Sequence, residues 1–418
     1  MGKLPEGWKR VRLGEVIKKI GDGGTPSRND PQNFSGGIAW VVIEDIKPHI
    51  YETKETLSLK GLMSSSAKLW PKGSVIVSTG ATIGEVGIAE VDLATKQGIT
   101  GIVLDSNKSF NVFFRYLLLY NKKQLIRFAQ GTSFEEIRPS TLIKIQIPLP
   151  PIPEQRKIAE ILETVDNAIE KTDKIIEKYK RIKQGLMQDL LTKGVVENDE
   201  LGIMNYELRD EKTHKFKDSP LGRIPEEWEV VELGKVFNIF AGGDISKINF
   251  YKEKTSKFMY PIFSNTLEHK GLYGYSDTYK YPANSITITG RGTLGYATPR
   301  FEPFNAIIRV LVLVPKQPLN VIFVSEYINS MITFEIESTG VPQLTAPKAS
   351  VYKIPLPPLS EQRRIAEILS QIDETIEKEQ KYKEKLERIK QGLMEDLLTG
   401  KVRVNHLIEG VENVSQTG

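Results

Sequence analysis

Two glycine-rich segments are the places where this sequence could hold a phosphate group with backbone N–H groups. They are TGATIGEVG, residues 79–87, and TGRGTLGYA, residues 289–297. The first lacks the lysine of a phosphate-binding GxxxxGK[ST] loop and its strand–loop–helix setting, which favours a turn. For Gly80 and Gly290, close approach of the backbone to phosphate and a tight hairpin turn are equally good explanations.

Other motifs that would carry catalysis or bind a metal are absent from the sequence. There is no cysteine, no HExxH, no GxSxG and no glycine motif or Asn-Pro-Pro-Tyr motif of an adenine methyltransferase. The histidines are scattered singly at His49, His214, His269 and His406. We therefore expect a chain without its own catalytic residues, metal or cofactor. A nuclease or methyltransferase with an unrecognised site is the less favoured alternative.

Length and composition predict the class of protein. A chain of 418 residues is too long for one core, so two or more domains are expected. The net charge of +4 is compatible with nucleic-acid binding without requiring it. The sequence has no run of 18 apolar residues and no apolar leader after the first residues, which predicts neither a membrane span nor a signal peptide. With no cysteine, we expect a cytoplasmic protein.

The chain is an internal duplication with a spacing of 207 residues. PLPPIPEQRKIAEIL at 148–162 matches PLPPLSEQRRIAEIL at 355–369 in 12 of 15 positions. RIKQGLMQDLLT at 181–192 differs once from RIKQGLMEDLLT at 388–399. The segments LPEGWKRVRLGEV at 4–16 and IPEEWEVVELGKV at 224–236 also match, whereas the residues between these anchors diverge. The matching segments therefore form a scaffold that is repeated closely, whereas the regions between them, which would carry the binding surfaces, are not repeated closely.

Each repeated segment predicts a long helix after its prolines, closed by Gly194 or Gly400. Apolar residues in 3-4 spacing predict that the two helices pair antiparallel along one seam, as an intramolecular coiled coil. The predicted seam residues are Ile158, Ile161, Val165, Ile175, Tyr179, Ile182 and Leu186, with Ile365, Ile368, Ile372, Tyr382, Leu386, Ile389 and Leu393. Each helix would be about 57 Å long at 1.5 Å per residue.

The predicted organisation is two globular domains and two helical spacers. The boundaries are 1–147 and 224–354 for the domains, 148–193 and 355–400 for the helices, 194–223 for a polar linker and 401–418 for a C-terminal tail. Short β-branched runs such as 38–43, 74–79 and 99–104 predict strands, and 112–129 and 324–337 predict helices. Because the strands cluster without regular helical crossovers, the fold class is α+β.

The repeated proline segment, the Glu-Gln-Arg triplet and the long helix ending in IKQGLM resemble the specificity (S) subunits of type I restriction–modification enzymes. The resemblance covers nearly the whole chain. It implies two target-recognition domains, each reading one half of a bipartite site in double-stranded DNA. It also implies that the helices set the spacer and dock two modification (M) methyltransferase subunits, joined by two restriction (R) subunits. AdoMet, ATP and Mg would then belong to those partner subunits and not to this chain.

For domains that read DNA, we expect the contacts to come from polar side chains and backbone N–H groups in loops near the two glycine-rich segments, with a solvated loop side chain as the alternative for each residue. Arg, Lys, Asn and Gln suit base edges, and Ser, Thr and backbone N–H groups suit phosphates. Residues 1–150 carry 20 Lys and Arg against 14 Asp and Glu, whereas residues 224–354 carry 13 against 12. The second domain must therefore rely on local patches. The candidates are Arg28, Asn29, Thr79, Gly80, Lys96, Gln97 and Ser133, with Lys247, Asn265, Gly290, Arg291, Thr293, Arg300 and Gln343.

A structural adaptor that binds two protein partners and no nucleic acid is the competing interpretation from another class. It shares the duplication and the helices with the leading one. Salt-dependent binding to duplex DNA separates the two, because only a phosphate-contacting protein releases counterions.

Overall fold

The chain folds into two compact units that share the two long helices. The computed structural model describes residues 4–80, 82–129, 136–198, 205–245, 248–335 and 343–408. Unit 1 comprises residues 1–173 and 381–418, and unit 2 comprises residues 174–380. Each unit therefore contains the first part of one long helix and the last part of the other, where the sequence predicted separate helical spacers.

Unit 1 is a mixed α+β unit built mainly from short strands. Its strands are β1 (Lys9–Arg12), β2 (Ile17–Asp22), β3 (Phe34–Val41), β4 (His49–Ile50), β5 (Thr56–Leu57), β6 (Leu69–Trp70), β7 (Val75–Ser78), β8 (Val86–Ala89), β9 (Leu93–Thr95), β10 (Ile99–Leu104) and β11 (Gln146–Leu149). Its short helices are α1 (Leu59–Met63), α2 (Asn111–Tyr120), α3 (Lys122–Ala129) and α4 (Pro139–Leu142). The long helix α5 (Ile152–Thr192) begins here.

Two sheets form the body of unit 1. One has the strand order β2-β10-β7-β8-β4 and the other β5-β3-β9-β6, while β1 pairs with β11. Pairing is antiparallel except between β3 and β9 and between β4 and β8. The helix predicted over 112–129 is two helices, because the side chain of Asn121 bonds back to the carbonyl of Leu117 at 2.8 Å and ends α2.

Unit 2 repeats this plan after two additional hairpins. Its strands are β12 (Val195–Asn198), β13 (Asn205–Leu208), β14 (Phe216–Ser219), β15 (Gly222–Pro225), β16 (Glu229–Glu232), β17 (Phe237–Ala241), β18 (Phe250–Tyr251), β19 (Tyr260–Phe263), β20 (Leu272–Ser276), β21 (Ser285–Thr289), β22 (Ala297–Arg300), β23 (Asn305–Ala306), β24 (Val310–Pro315) and β25 (Lys353–Leu356). Its helices are α6 (Leu233–Val236), α7 (Val321–Met331), α8 (Ala346–Ser350) and the start of α9 (Leu359–Thr399).

The sheets of unit 2 share most of the strand order of those of unit 1, although within the described residues β4 and β6 have no counterpart in unit 2 and β18 has none in unit 1. The order β17-β24-β21-β22 matches β2-β10-β7-β8, and β16 pairs with β25 as β1 pairs with β11. The second sheet, β18-β20-β19-β23, again contains one parallel pair, between β19 and β23. The predicted α+β class and internal duplication are confirmed.

The segment 194–223 differs from the predicted linker. It forms the hairpins β12–β13 and β14–β15, and the side chain of Arg209 is only 7% exposed. The segment is polar and aperiodic because its strands are short and pair only with each other, so no alternating apolar pattern is needed.

The two long helices run antiparallel within each unit. In unit 1, Asp166 and Asp173 of α5 pair with Lys390 and Lys383 of α9, so numbers rise along one helix as they fall along the other. In unit 2, Leu190 near the end of α5 shares a core cluster with Ile365 near the start of α9. Both helices have 41 residues, and no helix in the described part of the chain is long and apolar enough to cross a membrane.

The predicted seam is only partly correct. Ile158, Ile365 and Leu386 are buried, and Ile161, Val165, Tyr179, Leu186, Ile368, Ile372 and Leu393 are half-buried, as the pattern predicts. Four further predicted members are exposed and need correction: Ile175 (39%), Ile182 (38%), Tyr382 (50%) and Ile389 (42%). The inward residue at these turns is the next one along, as Ile176 at 6% exposure illustrates.

Three of these inward residues are Lys183, Lys383 and Lys390. A seam predicted from apolar residues alone does not include them. Their ammonium groups are paired with aspartates, and this pairing is what lets a lysine lie half-buried in the seam. The preceding apolar residues Ile182, Tyr382 and Ile389 therefore gave the stronger sequence pattern although they face outward.

Candidate nucleic-acid interface

The loops that follow β2, β7 and β9 come together in unit 1, and we call them the first loop cluster (residues 22–30, 79–84 and 96–98, without 81). Backbone hydrogen bonds join them, from the Gly24 N–H to the Thr95 carbonyl at 2.9 Å and from the Thr79 N–H to the Gly98 carbonyl at 2.8 Å. Because the bonds are made by the backbone, the arrangement depends little on which side chains the loops carry. The cluster can therefore present variable side chains on a constant frame.

Two predicted residues of the first domain hold this cluster together from inside. The hydroxyl of Thr79 lies 3.1 Å from that of Thr100, and Thr79 is 1% exposed. A Cβ on Gly80 would lie 3.2 Å from the Cα of Gly98, a contact tighter than most, so the glycine is explained by close packing of two loops. We therefore assign Thr79 and Gly80 a positioning role.

The other described candidates of the first domain are exposed. Arg28, Asn29, Lys96 and Gln97 all lie at the surface of the first loop cluster. The Arg28 guanidinium lies 4.7 Å from the ring centre of Phe34 and forms an ion pair of 2.8 Å with a glutamate, yet remains 53% exposed. Ser133 lies outside the described residues. The exposed four are placed where they could contact a ligand on this side of unit 1.

Unit 2 builds a second loop cluster from the equivalent loops, which follow β17, β19, β21 and β23 (residues 242–245, 264–266, 290–296 and 307–309), with Gln343 beside them. The Gly243 N–H donates to the Ala306 carbonyl at 2.8 Å, and the Gly290 N–H donates to Asn265 Oδ1 at 2.8 Å. The structure thus brings together the predicted residues Asn265, Gly290 and Gln343.

The exposed candidates of the second domain lie on the turn between β21 and β22. Arg291 and Thr293 are both exposed there. Gly290 beside them is buried, and a Cβ at this position would lie 2.1 Å from the carbonyl oxygen of Arg309, so the backbone of a neighbouring loop requires glycine. Lys247 lies outside the described residues.

Arg300 is placed differently from the prediction. It is 7% exposed, donates from Nε to Thr287 at 2.9 Å and from Nη2 to the Lys270 carbonyl at 2.8 Å, and lies 3.5 Å from the ring centre of Phe263. Burial lowers the pKa of Arg300. Its donors are used within the domain, so we assign it a structural role in place of base contact.

The sequence search missed Arg309, whose guanidinium bonds to the side-chain carbonyl of Gln343 in the second loop cluster. An available signal was its position as the one charged residue in the apolar run IIRVLVLVP. A charge at the start of a buried strand commonly reaches the surface at the strand end. Arg309 is half-buried and adds a cation to the cluster.

A further surface, which the sequence did not predict, lies on the second sheet of unit 2; it is formed by Tyr251, Lys252, Lys254, Tyr273 and Tyr275, and we call it the aromatic–lysine surface. Lys252 Nζ lies 3.9 Å from the ring centre of Tyr273, and Lys254 Nζ lies 5.9 Å from that of Tyr275. Tyr251, which is opposite Tyr275 in the β18–β20 pair, is 52% exposed. Lysines beside exposed rings combine charge for phosphates with flat apolar faces. This local patch provides what the nearly neutral domain lacks in net charge.

A buried carboxylate fixes the start of α5 to unit 1. Glu154 is 2% exposed and accepts a hydrogen bond of 3.0 Å from Trp8 Nε1 and bonds of 2.7 and 2.9 Å from Arg403. The hydrogen bonds that Arg403 donates to Glu154 raise the pKa of Arg403. Gln155, the next residue, accepts from the backbone N–H of Phe110 at 2.8 Å. The repeated Glu-Gln pair thus ties the helix to the globular part.

The equivalent residues do the same in unit 2. Glu361 accepts hydrogen bonds from Trp228 Nε1 at 3.1 Å and from Arg209 Nη2 at 3.1 Å. Gln362 accepts from the backbone N–H of Asn320 at 2.9 Å. In unit 2 the arginine, Arg209, comes from the segment after α5. In unit 1 the arginine, Arg403, comes from the segment after α9. The C-terminal tail and the predicted linker therefore each supply one arginine to an equivalent site.

The outward residues of the helices form an equivalent apolar pair in each unit: Ile175 and Ile182 in unit 2, Tyr382 and Ile389 in unit 1. Nearby, a Cβ on Gly185 or Gly392 would have no heavy atom within 4 Å, so the backbone is open to the surface. A partner could approach each helix closely at this glycine.

Comparisons with known proteins support a single family. The family model described as "Type I restriction modification DNA specificity domain" matches residues 5–180 and 225–388. The chain is 31% identical to a putative type I restriction enzyme MjaX specificity subunit of Methanocaldococcus jannaschii, over 97% of this chain and 96% of the relative. It is 28% identical to the MjaVIII specificity subunit of the same organism, over 97% of this chain and 95% of that one.

Solved structures share the fold. The S subunit of a type I restriction–modification system from M. genitalium superposes with a TM-score of 0.61 at 18% identity, covering 95% of this chain and 98% of that one. A chain from a structure on complex assembly and conformational transition of the type I R-M system superposes with a TM-score of 0.56 at 20% identity, covering 96% and 100%.

Proposed function

Because the chain belongs to the family of type I restriction–modification DNA specificity subunits, we propose that it is the sequence-reading subunit of such a complex. Each loop cluster contacts one half of a bipartite site in duplex DNA. The observation that carries this proposal is that the same strand order builds two loop clusters that expose different side chains. A constant frame with variable side chains suits a protein that reads two unlike sequences.

The base-reading residues in this proposal are the exposed members of the two clusters. In unit 1 these are Arg28, Asn29, Lys96 and Gln97, and in unit 2 they include Arg291, with the half-buried Arg309 beside it. Arginine and lysine donate to guanine, and asparagine and glutamine pair with adenine, in the major groove. The aromatic–lysine surface holds the backbone beside the second half-site through phosphate contacts, which position the protein without reading sequence.

The chain itself carries out no chemical step in this proposal. Two M subunits supply AdoMet and methylate adenine, and R subunits supply ATP-driven translocation and cleavage with Mg. Within the described residues no three His, Asp or Glu side chains lie together as a metal would need. The chain would work in the cytoplasm, where its DNA lies.

The outward helix pairs are the proposed docking sites for the two M subunits. Ile182 and Ile389 are equivalent residues, 38% and 42% exposed, within segments that are nearly identical in sequence. One kind of partner can recognise both because Ile182 and Ile389 have nearly identical neighbours in the chain, although Tyr382 replaces Ile175 one heptad earlier. We further propose that the helix pair sets the spacing of the half-sites. A helix of 41 residues is about 62 Å long, sufficient to hold two readers of sites about 34–36 Å apart.

Binding of labelled duplexes to the chain assembled with its M subunit tests the proposal. A duplex with the methylated motif should bind tighter than a duplex with either half-site scrambled, and log affinity should fall linearly with log salt. Equal binding of all duplexes, or binding that ignores salt, would favour the adaptor interpretation.

A further inference from the structure

Three lysine–aspartate pairs join the two long helices. In unit 2, Lys183 Nζ lies 2.7 Å from Asp373. In unit 1, Lys390 Nζ lies 2.5 Å from Asp166, and Lys383 Nζ lies 2.7 Å from Asp173. Lys183, Lys390 and Asp166 are 19%, 26% and 21% exposed, whereas Lys383, Asp173 and Asp373 are 31%, 45% and 48% exposed, so only the Lys390–Asp166 pair is shielded from water on both sides.

Two of these pairs are also tied to the globular part of their unit. Lys183 reaches Glu326 of α7 at 3.4 Å, and Asp166 accepts a hydrogen bond of 2.7 Å from the hydroxyl of Tyr116 on α2. Each pair therefore fixes the helices to each other and to the helix that lies on the sheet.

All three pairs have the same register. From Asp166 to Asp173 the chain advances seven residues along α5, and the partner moves back seven along α9, from Lys390 to Lys383. From Asp173 to Lys183 the chain advances ten residues along α5, and the partner residue moves back ten along α9, from Lys383 to Asp373. We propose that these pairs are a register code, which selects the antiparallel direction and one axial alignment of the helix pair.

Direction is encoded because the duplication places like residues at like positions. Lys183 and Lys390 are equivalent across the repeat, and so are Asp166 and Asp373. A parallel pair in the same alignment would set lysine against lysine and aspartate against aspartate. Like charges in a partly dry seam are strongly unfavourable, whereas the antiparallel pair joins opposite charges at both positions.

Alignment is encoded because slipped pairings lose partners. The apolar seam has a seven-residue period, so a slip by one heptad keeps most apolar contacts and needs another feature to exclude it. After a slip in one direction Lys183 faces Gln380, and in the other direction it faces Ala366. In either slip only one of the three lysines meets an aspartate. Half-buried lysines without a partner are costly, so the native alignment is favoured.

Any effect of this register code on half-site spacing rests on the proposed function. The test of the register code itself does not depend on that function. The variant Lys183→Leu/Asp373→Leu/Asp166→Leu/Lys383→Leu leaves only Lys390 and Asp173, which face each other only after a slip of one heptad. Treatment of the full chain with a carbodiimide, which joins neighbouring ammonium and carboxylate groups as amides, followed by peptide mass mapping, reports the alignment without DNA or partners.

In the wild-type chain we expect amides 166–390, 173–383 and 183–373 and no amide 173–390. In the recoded variant the amide 173–390 should become the main product between the helices. A variant that keeps its helical circular dichroism signal without forming this amide would overturn the proposal, because the globular parts would then set the alignment alone.

Charge reversal provides a second test that does not depend on how well the recoded variant folds. Asp173→Lys and Lys383→Glu should each lower the unfolding temperature by about 2–4 °C, and the double reversal should restore most of the loss. The matched control reverses Glu177 and Arg181, an exposed pair within α5 at 66% and 80% exposure, and should change nothing. Single reversals without effect, or a double reversal without recovery, would also overturn the proposal.

Discussion

Glu154 at the start of α5 accepts a hydrogen bond of 3.0 Å from the indole nitrogen of Trp8, and Glu361 at the start of α9 accepts one of 3.1 Å from Trp228. An arginine completes each site, at 27% exposure for Arg403 and 7% for Arg209. The difference in burial decides how much each carboxylate stabilises the chain, because an unpaired buried cation is far more costly than one that water can reach.

Removing these carboxylates should therefore have unequal effects. Glu361→Ala should lower the free energy of unfolding by about 3–5 kcal/mol, since it leaves the buried Arg209 without this carboxylate partner. Glu154→Ala should cost about 1–3 kcal/mol, since Arg403 can turn toward solvent. Urea denaturation followed by tryptophan fluorescence measures both. Equal losses would mean that the two arginines are equally hydrated, against the burial described above.

Two arginines of unit 2 provide a matched comparison for DNA reading. Arg291→Ala should weaken discrimination at one base pair of the second half-site by about 1–3 kcal/mol and leave the unfolding temperature unchanged. Arg300→Met should instead lower the unfolding temperature, because it removes donors from Thr287 and from the Lys270 carbonyl. Binding to a panel of single-base variants and thermal melts make the comparison. Altered base preference in the Arg300 variant at full stability would contradict the role assigned to each.

The docking proposal predicts a change in stoichiometry. Ile182→Asp or Ile389→Asp should leave one M subunit bound per chain, and the double variant should leave none, while the unfolding temperature stays the same. Native mass spectrometry of the purified mixtures counts the subunits. Ile176→Asp is the control, because this side chain is 6% exposed and its replacement should destabilise the helix pair itself. Two M subunits retained on the double variant would place docking elsewhere.

Alkaline pH should weaken the lysine–aspartate pairs. Burial lowers the pKa of Lys183, but the hydrogen bond to Asp373 and the charges of Glu326 and Asp373 outweigh it and raise the pKa above 10.5. A raised pKa in the folded state means stability that is complete below 10.5 and is lost as pH rises above it. The difference in unfolding temperature between wild type and Lys183→Met should thus shrink at high pH. A difference that is constant across this range would show that the charge of Lys183 contributes nothing.

Much of the fold could be predicted from the sequence because the duplication marks equivalent elements in the two halves of the chain. The repeated Glu-Gln helix start, the helix ends at Gly194 and Gly400 and the α+β class all follow from local pattern. The inward lysines were missed because a charged residue in a seam is distinguishable only by its partner, which lies about 200 residues away in the chain. Arg209 in the supposed linker was missed for the same reason.

The candidate interface was less predictable, for reasons visible in single residues. Arg291 and Arg300 both follow turn-forming residues and look alike in sequence, yet one is exposed and the other stacks on Phe263 at 3.5 Å. Burial depends on what the rest of the domain places above a side chain. The aromatic–lysine surface was missed because its members come from two strands, β18 and β20, and from the turn after β18, which are separated in the chain.

Exchange of one globular domain is the most direct test of whether each unit reads one half of a split site. Residues 237–352 would be replaced by the equivalent residues of the MjaVIII relative, and methylated adenines would be mapped in cells that supply the M subunit. We predict that one half of the methylated motif changes while the other half and the spacing remain. A motif that changes in both halves, or in neither, would contradict the account.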